Sequence, residues 1–109
     1  MKVVQLNNLN FAEEVEKSKI PVIIDFWAGW CGPCKMMGVT FEKLKDEYAG
    51  RLKFAKLNVE EEKEIAMQFE IEGIPCLIVT KKGKEFGRIV GFAPEDILKE
   101  KIDLILEKI

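Results

Sequence analysis

The sequence predicts an α/β fold built on a mixed sheet, and three stretches lead to it. Residues 21–27, Pro-Val-Ile-Ile-Asp-Phe-Trp, form a continuous apolar run rich in β-branched and aromatic side chains, the pattern of a strand buried on both faces. Residues 52–59 read as a second strand. Between the two, Met37, Phe41, Leu44 and Tyr48 recur at spacings of four, three and four, one stripe of a helix. A helix of that length is a crossover, so the two strands should run parallel as a βαβ unit. Residues 76–80 and 86–90 are apolar runs around Lys81-Lys82-Gly83-Lys84, a hairpin whose strands are antiparallel. Parallel and antiparallel pairs in one chain make the sheet mixed.

In chain order, residues 3–6 are expected as a short edge strand, with Asn7, Asn8 and Asn10 as helix caps before Phe11 and Val15. Residues 21–27 take the sheet centre. The helix that follows ends at Gly50. Residues 61–69 form a helix with Ile65 and Phe69 on one face, and Gly73 closes the connection before Ile74-Pro75. Pro94 opens a last helix whose buried stripe is Leu98, Ile102, Ile105 and Ile109. There is no internal repeat, linker or low-complexity segment.

A chain of 109 residues with 48% hydrophobic content is expected to be one domain over 1–109, able to bury a core without disulfide staples. Its net charge of −2, with signs mixed along the chain, argues against nucleic acid and against a membrane surface, leaving proteins or small molecules as partners. The apolar run at the N-terminus is too short for a signal peptide, and no segment approaches the ~20 apolar residues of a membrane span. The expected location is therefore cytoplasmic. Three cysteines do not make a disulfide framework, and in a reducing compartment a lone C-x-x-C is catalytic or metal-binding sooner than structural.

That motif lies in Trp27-Ala28-Gly29-Trp30-Cys31-Gly32-Pro33-Cys34, where the apolar strand runs into the amphipathic helix. Two intervening residues let the sulfurs approach if the chain turns into a helix there, so a reversible disulfide is possible. Pro33 suits the first helical position, and Gly32 admits the turn. Cys31 would face the unpaired N–H groups of the helix start, which favour an anion by roughly 0.3–1 kcal/mol and hence the nucleophilic thiolate. Cys31 is expected at the exposed helix end, with Cys34 a turn further in and shielded. The other readings are half of a metal site or two inert core thiols. Zinc wants four ligands, which a chain with no His and one further cysteine does not complete alone, while a cluster bridging two chains would need assembly.

With Trp30-Cys31-Gly32-Pro33-Cys34-Lys35, Asp25 in the preceding strand, Gly73-Ile74-Pro75, Gly83 and Gly91 in place, the chain resembles the thioredoxin family over almost its whole length. The resemblance implies the thioredoxin fold, a central mixed sheet flanked by helices on both faces, and a protein-disulfide reductase. It assigns Cys31 as attacking nucleophile and Cys34 as the thiol that resolves the mixed disulfide. It makes Trp30, Gly32, Pro33, Gly73, Ile74 and Pro75 the substrate-binding rim, with a cis bond before Pro75. The partners implied are a thioredoxin reductase-type electron donor and disulfide-containing substrate proteins, for a monomer with no cofactor or metal. Two positions depart from the family pattern: Val39, preceded by Gly38, stands where a helix-kinking proline is usual, and Cys76 follows Pro75 in place of threonine.

Asp25 interrupts the apolar strand on the face of Ile23 and Trp27, where desolvation would raise its pKa and make it a proton acceptor for Cys34. The alternative is an aspartate at a sheet end paired to a lysine. Lys56, in mid-strand, is the candidate partner, as the family's strand lysine is, unless it snorkels to solvent. Trp27 reads as a core aromatic, Lys35 as a solvated lysine, and Cys76 as a small buried hydrophobe near the motif. A glutaredoxin-like or oxidising variant is disfavoured by Gly32-Pro33 and the lack of a histidine between the cysteines. A rival of another class is a binding subunit whose docking surface is the function.

Overall fold

The computed structural model describes residues 2–109; Met1, part of the domain read over 1–109 and of the leader reading, lies outside them. Five strands, β1 (Val4–Gln5), β2 (Val22–Trp27), β3 (Lys53–Asn58), β4 (Cys76–Lys81) and β5 (Lys84–Val90), form one sheet in the order β1-β3-β2-β4-β5. β3 runs parallel to both β1 and β2, whereas β4 is antiparallel to β2 and to β5. The central place of β2 follows from its composition, because only a strand covered on both faces can bury every one of Val22 to Phe26.

Alternation along β2 sorts the two cores. Ile23 packs with Met37, Phe41 and Leu44 of α1 (Gly32–Leu44) and with Leu98, Ile102 and Ile105 of α3 (Glu95–Leu106). Val22, Ile24 and Phe26 face the other way, toward Phe11, Val15 and Ile65, the last on α2 (Lys63–Gln68). Helices thus cover both faces, and each fully buried large side chain contributes roughly 1.5–3 kcal/mol. No helix among the described residues is long and apolar enough to cross a membrane.

Several elements differ at their ends from the sequence reading. The strand expected over 3–6 pairs only at Val4 and Gln5. The helix around Phe11 and Val15 is a wide turn, Ala12–Glu16, closed by the Lys17 N–H donating five residues back to the Ala12 carbonyl at 2.9 Å. None of the three asparagines caps it, its N-cap being Phe11; instead Asn7 Oδ1 accepts from the Leu9 and Asn10 N–H groups at 2.8 and 3.0 Å, and Asn10 Oδ1 from Asn7 N–H at 2.8 Å, which fixes the turn ahead of it. α1 stops at Leu44 and tightens into a 3₁₀ turn, Lys45–Tyr48, which still buries Tyr48 and lets its hydroxyl donate to Asp103 Oδ1 at 2.6 Å. α2 begins late because Asn58 Oδ1 accepts from the Glu60 and Glu61 N–H groups, holding those residues in a turn. Lys82 and Gly83 both have positive φ, 54° and 81°, the two-residue hairpin turn that draws Lys81 and Lys84 into the ladder. Pro94 caps α3 from outside in extended conformation, and Ile109, expected in the buried stripe, lies past the helix end and is exposed. The β4–β5 ladder shifts register between Val79 and Thr80.

Candidate active site

Because β2 and β4 are antiparallel and Phe26 pairs with Cys76, the residues leaving β2 and those entering β4 meet at one end of the sheet. This brings Cys31 to Ile74. Cys31 is the N-cap of α1, and its Sγ accepts the Cys34 N–H at 3.2 Å, one of the helix-start donors that would otherwise lack a partner. Gly32 and Pro33 are the first and second helical residues, one position later for the proline than expected. Cys31 and Cys34 are joined as a disulfide, with Cα atoms 5.2 Å apart. The Ile74–Pro75 bond is cis, the Ile74 carbonyl oxygen lies 4.0 Å from Cys31 Sγ, and the Pro75 carbonyl accepts from Gly91 N–H at 2.8 Å.

Exposure does not separate the two sulfurs as anticipated: Cys31 is 4% and Cys34 3% exposed. Both rest on Ala28, with Trp27, Val59 and Ile74 packed around them. What distinguishes Cys31 is its place at the helix head beside a groove of about 610 Å³ lined by Trp30, Val59, Met67, Gly73 and Ile74. Trp30 stands 70% exposed at its rim, Gly32 and Pro33 are exposed, and Pro75 is buried behind Ile74.

Asp25 lies on the α1 face of β2, fully buried, with neither carboxylate oxygen hydrogen-bonded. Burial pushes its pKa up to about 7, against the pull of the Lys56 charge. Lys56 is its register partner on β3 and shares its face, yet the two form no ion pair within 4.0 Å. The Lys56 ammonium instead lies over the Trp27 ring, 5.2 Å from its centroid. Trp27, expected in the core, is partly exposed and lines a groove with Cys34, its indole N–H buried without a partner. Strand alternation, which sets Trp27 two residues beyond Asp25, was the available signal for its place at the site. Cys76 is a free, buried thiol, but it faces the α2 side of the sheet, opposite to Asp25. Burial raises its pKa and the Arg88 charge lowers it. Among the described residues no group of three or more His, Cys, Asp or Glu is placed to hold a metal ion.

The thioredoxin family model matches residues 2–104. The chain belongs to the thioredoxin family. It is 42% identical over 102 residues to a thioredoxin of Chlorobaculum thiosulfatiphilum, covering 94% of each chain. It is 40% identical over 103 residues to one of Staphylococcus haemolyticus, covering 94% of this chain and 97% of the relative. With thioredoxin 1 of a Nostoc strain it shares 35% identity over 99 residues, 91% and 92% of the two chains. A thioredoxin is a thiol–disulfide oxidoreductase, and this one exchanges electrons with protein disulfides through the Cys31–Cys34 couple.

Proposed function

We propose that Cys31 is the attacking thiol, Cys34 the resolving thiol and Asp25 the acceptor of its proton. The Cys31 thiolate attacks a substrate disulfide; one substrate sulfur leaves with the electron pair and takes a proton from water. Cys34 then gives its proton to Asp25, attacks Cys31 Sγ and displaces the second substrate sulfur, so two electrons pass to the substrate and the couple becomes a disulfide. A carboxyl titrating near neutrality beneath α1 is matched to that transfer. Lys56 acts on Asp25 through its charge. The observation that supports Cys31 as attacker is the Cys34 N–H donated to Cys31 Sγ at the helix head, which stabilises a thiolate there.

Trp30, Gly32 and Pro33 on one side and Gly73, Ile74 and Pro75 on the other would hold an extended substrate segment across Cys31, with backbone pairing at Ile74. In this reading the chain works as one domain and a monomer in the cytoplasm. A thioredoxin reductase-type donor returns the electrons, and disulfide-containing proteins receive them.

Trapping tests the roles. Cys34→Ser keeps the attacker and removes the resolving thiol, so mixed disulfides with substrate proteins should accumulate and survive denaturant until an external thiol is added. Cys31→Ser should accumulate far fewer. Equal denaturant-resistant trapping by both variants would overturn the assignment. Partners held by both and released in denaturant would favour a docking surface as the function.

A further inference from the structure

On the flank of the motif away from Trp30, a second groove of about 580 Å³ runs along α1 against Trp27 of β2 and Lys56 of β3. Trp27, Cys34 and Val39 give it apolar walls, and Gly38 lies on its floor, where a Cβ would meet only Lys56 Nζ, at 3.6 Å in ordinary contact. Lys35 and Lys43 on α1 and Lys56 on β3 bring three ammonium groups to it. The one carboxylate in its lining, Glu42, is already held by Lys45 Nζ at 2.8 Å. Among the described residues, none of the three groove lysines has a carboxylate within 4.0 Å. Three cations without an ion-pair partner around an apolar cleft, of which only Lys56 neighbours a buried carboxyl, Asp25, are a local reversal of sign in a chain whose net charge is −2. The Trp30-side groove carries Lys63, Glu70 and Glu72 instead, so the disulfide is flanked by two grooves of different charge.

We propose that the α1-side groove receives a carboxylate-bearing segment of the dithiol donor that reduces the Cys31–Cys34 disulfide. The lysines call for a carboxylate, and the groove is lined by Cys34, the sulfur on which the electron pair leaves when the disulfide is reduced. This rests on the direction of electron flow proposed above. In the step itself a donor thiolate attacks Cys31 Sγ, the disulfide bond breaks, and the electron pair leaves on Cys34 Sγ, which takes a proton from Asp25. The donor's second thiolate then displaces Cys31 as a thiolate, and the donor departs as its own disulfide. A carboxylate beside Lys56 offsets the one charge that pulls the Asp25 proton off, so an occupied groove keeps that proton available for Cys34.

Dihydrolipoate and dihydrolipoamide test this with one chemical difference, because they share the dithiol and the apolar chain and only the first carries a carboxylate. Reduction of the oxidised chain is timed by quenching with an alkylating agent and weighing the products. At low ionic strength dihydrolipoate should be about five-fold faster, although the net charge of the whole chain would repel it, and the ratio should fall toward one in high salt. In a Lys35→Gln, Lys43→Gln variant the ratio should fall to about one at low salt with the dihydrolipoamide rate unchanged. A Lys81→Gln, Lys82→Gln variant, with the same charge removed at the hairpin, should keep the wild-type ratio. Equal rates for the two dithiols in the wild type would overturn the groove and leave the exchange chemistry standing. So would a ratio that survives in the groove variant, or a loss shared by both reductants. Failure of both dithiols to reduce the disulfide would overturn the exchange reading itself, and the groove with it.

Discussion

Replacing Asp25 by asparagine should stabilise the protein, by an amount that depends on pH. The carboxyl is fully buried, neither oxygen has a hydrogen-bond partner, and its pKa rises from 3.8 to about 7. Between those values the native state keeps a proton that the unfolded chain has released. Stability therefore falls as pH rises through this window, at up to about 1.4 kcal/mol per pH unit, and levels off above it. The accumulated loss just above neutrality is about 4 kcal/mol, an upper figure for what asparagine can recover. At acid pH the protonated carboxyl and the carboxamide are both neutral and both unpartnered, so the two proteins should be close in stability. Urea unfolding of the oxidised forms, extrapolated to water at closely spaced pH values from about 4 to about 9, reads the difference directly. The variant should give the flatter curve, with a gap that opens as pH rises. Parallel curves, or a variant less stable than wild type near neutrality, would refute the assignment of a costly buried charge. Lys56→Gln should move the upper end of the window further up, because it removes the charge that opposes burial.

Tyr48 is the only tyrosine, and burial and its bond to Asp103 raise the phenol pKa, so alkaline titration by ultraviolet absorbance should show no tyrosinate until the chain unfolds. Tyr48→Phe should cost about 1–2 kcal/mol in a denaturant melt. Gly87→Ala should cost about 1–3 kcal/mol, because its Cβ would meet Ile105 Cγ1 at 2.8 Å, and less when Ile105→Ala has made room; a double-mutant cycle measures that coupling. Cys76 should resist alkylation in the native state and react on unfolding, and Cys76→Ala should leave exchange rates unchanged while lowering stability by about 1 kcal/mol.

The sheet and the α1 and α3 stripes were legible because burial on two faces and on one leaves different periodicities, as Val22 to Phe26 and Leu98, Ile102 and Ile105 show. Ends were less legible. Tyr48 keeps its helical spacing from Leu44 although the backbone between them has tightened, since an anchor at Asp103, far along the chain, sets where that side chain lies. At the site, the spacing of Cys31 and Cys34, the alternation that sets Asp25 on their side of the sheet, and the family resemblance made the motif and Asp25 readable. The equal burial of the two cysteines could not be read, because it depends on Val59 and Ile74, which arrive from the connections after β3 and before β4. Register explains why Asp25 and Lys56 are neighbours, but the space beside Gly38 and the Trp27 ring lets the ammonium settle away from the carboxylate.

The two outer strands bear on how the protein behaves in crowded solution. β1 is two residues long, and β5 carries Lys84, Glu85 and Arg88, the last two ion-paired, beside a register shift that breaks the regular ladder. A long, flat, apolar margin would invite another copy to extend the sheet, and short, charged or irregular margins do not. If the loop before β4 pairs with a substrate strand as proposed, the rims of the sheet leave that loop as the place for strand addition and discourage self-association.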